Sequence, residues 1–215
     1  MKQLLIYTAC DKKYEMFIPL FCLSHCIYNK NIDIEIAIEK TLDDNVEQCL
    51  NIIRKYFPEV NIHINYNSFK VVGYSAIVNG IKCIKNSVRF ILKPLTRAEY
   101  VYITDIDIIC CEDIADKHIA DMTYYNSPFS NIVRKNTKRM TGLHFTKYDA
   151  YYPLDINYIK SVNTYNKNDE ELLYDIVKKN NNIDLSRTYR PVHGIHMSLN
   201  RPSVAGTADL PGWGA

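Results

Sequence analysis

Two carboxylates stand one residue apart at Asp105-Ile106-Asp107, at the end of the apolar run Tyr100-Val101-Tyr102-Ile103. An apolar run of this length, bounded by polar residues, reads as a buried central strand. Strand side chains alternate between faces, so both acids point the same way from its end. Paired carboxylates at the edge of a dry core repel each other unless a cation neutralises them. Oxygen ligands with room for water and phosphate suit Mg²⁺ or Mn²⁺. The chemistry implied is a metal–diphosphate site. Ile32-Asp33-Ile34-Glu35-Ile36-Ala37-Ile38 is the contrasting case. Its acids alternate with isoleucines throughout, which describes a half-exposed strand and needs no chemistry.

A second group lies at Arg190-Pro191-Val192-His193-Gly194-Ile195-His196-Met197-Ser198-Leu199-Asn200-Arg201-Pro202. Two histidines three apart, beside glycine and proline, suggest a loop carrying an imidazole. Neutral imidazole would complete a metal site begun by two carboxylates. Which of His193 and His196 serves is open, and hydrogen-bonded loop histidines are the competing account. Arg201 could neutralise a diphosphate, since guanidinium forks match phosphate oxygens; a solvated surface arginine is its alternative.

The elements that must position these groups alternate in type. Strands are predicted at Leu4–Thr8, Ile32–Ile38 and Val60–Tyr66. Helices are predicted at Tyr14–Tyr28, at Asp43–Tyr56 with Val46, Cys49, Leu50 and Ile53 inward, and at Tyr74–Leu92 with Ile77, Ile81, Ile84, Val88 and Ile91 on one face. This alternation up to Asp107 indicates a mostly parallel sheet with helices on both faces. The loop Ala9–Lys13 lacks a G-x-G-x-x-G fingerprint. Later the pattern is mixed, with short strands near Met122–Tyr125 and Leu143–Tyr148 and a helix near Asp169–Lys179. One domain over 1–215 is expected, with a nucleotide-binding half at 1–107, a donor/acceptor half at 108–202 and a tail at 203–215.

Composition narrows the class. A chain of 215 residues, 47% hydrophobic and 23% charged, can build one sizeable core. A net charge of +2 gives no argument for nucleic-acid or membrane partners. Cys22 and Cys26, four apart in a predicted helix, read as core neighbours rather than metal ligands, and Cys110-Cys111 lacks C-x-x-C spacing, so reduced, mostly buried thiols in an intracellular protein are expected. No signal peptide or membrane span is predicted.

Four features, in order, resemble small retaining GT-A glycosyltransferases of the glycogenin and galactosyltransferase type, often called family 8. They are Tyr7-Thr8-Ala9-Cys10-Asp11-Lys12-Lys13-Tyr14, Arg89, Tyr102-Ile103-Thr104-Asp105-Ile106-Asp107, and His196-Met197-Ser198-Leu199-Asn200-Arg201-Pro202. The last is similar to the family's H-F-x-G-x-x-K-P run, with Leu199 and Arg201 replacing glycine and lysine. Met140-Thr141-Gly142 stands where the family has N-A-G. The chain also resembles the compact glycosyltransferase domain that opens multidomain glycan enzymes of large DNA viruses, whose donors include UDP-glucose and UDP-rhamnose. That likeness implies a host-cytoplasmic location and further domains beyond the C-terminus.

The resemblance implies a GT-A fold and a UDP-sugar donor bound by Thr8, Ala9, Asp11, Tyr14, Arg89 and Asp105, with Tyr14 stacked on the base. It implies Mn²⁺ or Mg²⁺ held by Asp105, Asp107 and His196. Asp169-Glu170 resembles the family's D-Q pair facing the donor sugar. Acids opening a helix, favoured by its dipole, account for them equally well. Asp169, Glu170 and Arg201 are then the candidate catalytic residues, and a glycan or glycoprotein hydroxyl is the acceptor. A metal-dependent nucleotidyltransferase acting on a sugar phosphate, or a non-catalytic sugar-nucleotide-binding module, are the alternatives.

Overall fold

The computed structural model describes residues 2–162 and 164–197. Its first part follows the expected alternation: β1 (Leu4–Cys10), α1 (Ile18–Tyr28), β2 (Ile32–Ile38), α2 (Asp44–Tyr56) and β3 (Asn61–Asn65). Pro19 opens α1, where a missing backbone N–H costs nothing. In α2, Asp44 and Glu47 open the first turn while Arg54 and Lys55 close the last, matching the helix dipole.

The expected long helix over 74–92 is not formed. The segment instead builds a small antiparallel sheet, β4 (Lys70–Val72), β5 (Ser75–Val78) and β6 (Ile81–Ile84), before the short helix α3 (Val88–Ile91). Asn79 and Gly80 both take positive φ (50° and 74°), as a two-residue hairpin loop requires. Two short strands offset by that turn happen to space their isoleucines as a helix would.

Next come β7 (Tyr100–Ile103), β8 (Ile108–Cys110) and α4 (Ala115–Tyr124), followed by β9 (Phe129–Ser130) and β10 (His144–Lys147). The expected strand at Met122–Tyr125 is the end of α4, which buries Ala115, His118 and Met122 at helical spacing. Helices α5 (Tyr148–Tyr151), α6 (Ile156–Ser161) and α7 (Asp169–Asn180) lead to β11 (Gly194–His196). A capping box between Asn168 and Glu171 starts α7 and fixes Asp169 at its first position.

The main sheet runs β3-β2-β1-β7-β10-β9, parallel across the first four strands and antiparallel at the last two junctions. Leu4, Ile6, Ile34 and Ile36 face α1 and α2. On the opposite face, Leu5, Val101 and Ile103 pack with Phe90, Leu172 and Ile176 of α3 and α7. Tyr7 Oη donates to Leu92 O (2.8 Å) and Tyr151 Oη to Phe90 O (2.9 Å), tying the α3 segment to β1 and to α5. Both phenols are buried, so several of the 17 tyrosines serve as core residues with a polar handle.

Strand β2 corrects its half-exposed reading. Glu35 is fully buried, and its carboxylate accepts from Leu95 N (2.8 Å) and Thr96 N (2.7 Å). The acid is structural, pinning the turn that leads into β7. Cys49 is exposed rather than inward, as is Cys111; the other five thiols are buried, and all seven are free. Among the described residues, no helix is long and apolar enough to cross a membrane.

Buried histidines make this fold acid-sensitive. Burial holds the pKa of His25 and His144 at about 3 and of His193 at about 4, and holds His118 well below its ordinary value. The unfolded chain therefore binds more protons than the native one below about pH 6.5. Their stabilisation is complete above that pH and lost as pH falls towards the folded values, at about 1.4 kcal/mol per pH unit for each fully titrating histidine. Circular dichroism between pH 7 and 4 should show cooperative unfolding. A tertiary signal unchanged at pH 4 would contradict this assignment.

Candidate active site

The carboxyl ends of β1 and β7 open into a cleft of about 740 Å³, bordered by Asp11, Tyr14, Arg89, Asp105, Asp107, Asp169, Glu170, Arg190 and His196 among others. Ligands of open α/β sheets collect at such strand ends. Asp105 and Asp107 lie just past β7, in a turn closed by Ile108 N donating to Asp105 O (3.3 Å). The turn, rather than strand alternation, brings the two acids together.

His196 completes a cluster with them. One ligand atom each from Asp105, Asp107 and His196 lies within 4.8 Å of the others. His196 Nε2 is 3.1 Å from Asp107 Oδ1. Its ring is delivered by β11, which pairs antiparallel with β8, and Met197 N donates to Asp107 O (2.7 Å). His193 goes elsewhere: its ring is buried, with Nδ1 3.2 Å from Glu112 Oε1 and the ring edge-on to His118. His196 is thus the histidine of the cleft, and it sits on a strand rather than a loop. Two carboxylates and an imidazole form a donor set that fits Mn²⁺ or Mg²⁺. Burial raises the Asp105 pKa against the pull of Arg89, with Asp107 and Asp169 adding to the rise. A divalent cation would relieve that strain on the ionised form.

Behind the acids lies Arg89, whose side chain is 5% exposed. Its Nη2 bridges Asp105 Oδ1 (2.9 Å) and Asp169 Oδ2 (3.0 Å), while Nη1 donates to Asn86 O (2.7 Å). Glu170 takes Arg134 Nη2 (2.6 Å) and Nε (2.8 Å) and Arg139 Nη2 (2.8 Å). Sequence reasoning missed Arg134 and Arg139, because basic residues in an irregular stretch resemble a solvated face. It also missed Lys85, which donates to Asp11 Oδ2 (3.0 Å).

Of the remaining expected residues, Ala9, Asp11 and Tyr14 border the cleft. Asp11 Oδ1 is buried with no hydrogen-bond partner among the described residues, leaving an acceptor for a ligand. Thr8 does not border the cleft: it is fully buried, on the side of β1 opposite Ala9. Arg201 and the rest of Ser198–Pro202 lie outside the described residues.

Gly194 controls the seat of β11. A Cβ there would stand 2.5 Å from Ile109 O and 2.8 Å from Ile108 Cγ2. Gly194→Ala should push β11 off β8, withdraw His196 and weaken Mn²⁺ binding by about tenfold or more, in line with disturbing a ligand's supporting shell. Calorimetric titration of Mn²⁺ checks this, and wild-type affinity would refute it.

No family model and no curated protein matches the sequence. Solved structures do match. The glycosyltransferase GlyE of Streptococcus pneumoniae TIGR4 aligns at TM-score 0.52 and 14% identity, over 84% of this chain and 44% of that one. The bifunctional glycosyltransferase WbbM aligns at 0.54 and 11% identity, over 83% and 38%. S. aureus TarS, as its fragment 1–349, aligns at 0.54 and 12% identity, over 83% and 56%. The chain spans less than half the length of the GlyE and WbbM structures. At these identities the likeness is one of fold, and the fold is the GT-A glycosyltransferase type: a mostly parallel six-stranded sheet flanked by helices.

Proposed function

We propose that the protein is a metal-dependent glycosyltransferase that moves a hexose or deoxyhexose from a UDP-sugar to a glycan hydroxyl with retention. The Asp105–Asp107–His196 cluster, placed in the cleft at the end of β7, carries this reading. Bound there, Mn²⁺ or Mg²⁺ would offset charge developing on a departing diphosphate. Asp11 Oδ1 supplies the acceptor that the imide N–H of a uracil needs, and Tyr14 offers an aromatic face beside it. Asp169, held by Arg89, would face the donor sugar. Glu170 is tied by two arginines and props the wall rather than serving as a nucleophile. The bond from the anomeric carbon to phosphate breaks as the acceptor oxygen joins the same face, and the acceptor proton passes to the leaving phosphate. The described residues form one catalytic module, with the nucleotide held by the part up to Asp107 and sugar and acceptor by the part beyond.

The test is a ligand panel followed by product analysis. UDP with Mn²⁺ should raise the melting temperature, as any ligand selective for the native state does. UDP-glucose is the first expected donor, ahead of UDP-rhamnose and UDP-galactose, and should slowly release UDP to water. Pyrophosphate release from an NTP plus sugar phosphate, with no UDP from any UDP-sugar, would replace this reading with a nucleotidyltransferase. Inversion at the anomeric centre would remove retention alone.

A further inference from the structure

Arg190 stands out among the charged groups of the cleft. It borders the cleft and is only 6% exposed. Arg89 bridges two carboxylates and Arg134 grips Glu170, but no carboxylate among the described residues lies within ion-pairing distance of Arg190. Among the described residues its single hydrogen bond is from Nη1 to Pro191 O (3.1 Å), and its buried Nε has no partner. Burial disfavours its charge, as does Arg134, while Tyr102 and, from beyond ion-pairing distance, Glu170 and Asp105 favour it. A guanidinium stays protonated in proteins, so this is a buried cation with spare donors. Such a group is strongly destabilising unless something compensates it.

We propose that Arg190 is a diphosphate-binding residue of the cleft, its unused fork receiving the phosphate oxygens of a nucleoside diphosphate. The inference rests on the donor-cleft reading above and adds a cation that no recognised motif contains. Cation and anion receptors then share one wall: Asp105, Asp107 and His196 hold the metal, and Arg190 meets the anion the metal accompanies. Arginine suits this place because its planar fork pairs two oxygens at once, which lysine cannot do.

The experiment titrates pyrophosphate, UDP and uridine, each with Mg²⁺, into wild type, Arg190→Gln and Arg190→Lys. Arg190→Gln should weaken pyrophosphate and UDP by about 10- to 100-fold, the range for a hydrogen bond to a charged group, and leave uridine unchanged. Arg190→Lys should lose several-fold. Equal losses for uridine and pyrophosphate would make the residue a structural prop and overturn the inference, as would pyrophosphate affinity within twofold of wild type. Should Arg190→Gln not fold, the Lys variant and the Nε–H resonance of Arg190 in the wild type decide. That resonance should shift on adding pyrophosphate, and an unmoved signal overturns the proposal. Failure of wild type to bind pyrophosphate does so as well. Arg190-dependent binding of pyrophosphate without any binding of UDP would leave this inference standing and remove the uridine-nucleotide reading instead.

Discussion

Asp107→Ala should abolish Mn²⁺-dependent binding of UDP-sugars, with affinity reduced at least about 100-fold, beyond what supporting residues of metal sites typically cost. The side chain is buried at the turn after β7, and its carboxylate is 3.1 Å from His196 Nε2. Removing it takes one of the two carboxylates from the cluster. The fold should survive, because the structural bond at this position uses the backbone carbonyl that accepts from Met197 N. His196→Ala should act in the same direction. His193→Ala should spare metal binding, since that ring lies against Glu112 and His118. Titration of Mn²⁺ and UDP into the three variants distinguishes them. An Asp107→Ala protein that binds both like the parent sinks the metal site.

Arg89→Met should be the most damaging change to stability. It leaves Asp105 and Asp169 facing one another in a largely buried setting with their shared cation gone. Breaking a buried pair from one side costs about 3–5 kcal/mol, or roughly 6–20 °C of melting temperature in a domain of this size. The deficit should shrink on acidification. Asp105 already has a raised pKa, first from burial, and losing Arg89 removes the larger of the two groups that oppose the rise, the other being His196. An acid whose folded pKa exceeds its unfolded one contributes stability that falls as pH rises through the carboxylate range. Combining Arg89→Met with Asp169→Asn should recover part of the loss. Melting curves at pH 5 and pH 7.5 test both points; a variant as stable as wild type at both would show that the bridge carries no energy.

The parallel half of the fold was legible because β1 and β7 are apolar runs, β2 and β3 alternate with a period of two, and α1 and α2 carry apolar faces. Asp105 and Asp107 were legible for a related reason, since acids at the end of a buried run are costly without a purpose. The β4–β6 sheet was not, although Asn79-Gly80 is a strong hairpin signal. Ile77, Ile81, Ile84, Val88 and Ile91 fit a helical period and masked it. Glu35 misled differently: a carboxylate can be wholly buried if backbone N–H groups meet it, and sequence does not show which loop will arrive. The same applies to Arg134, Arg139 and Lys85, whose partners lie far along the chain and are joined only by folding.

Strand β11 has three residues and one neighbouring strand, β8, yet it carries the third ligand of the cluster. Opening so short a strand requires far less free energy than unfolding the sheet beneath it. The lifetime of a cation bound as proposed would then be set by how often this strand lifts, not by the global stability of the domain. Conversely, an occupied site holds the strand down, so the last described segment and the first acids of the cleft become one mechanical unit. Catalytic competence and local rigidity would therefore appear together as metal is added, while the core stays as it was.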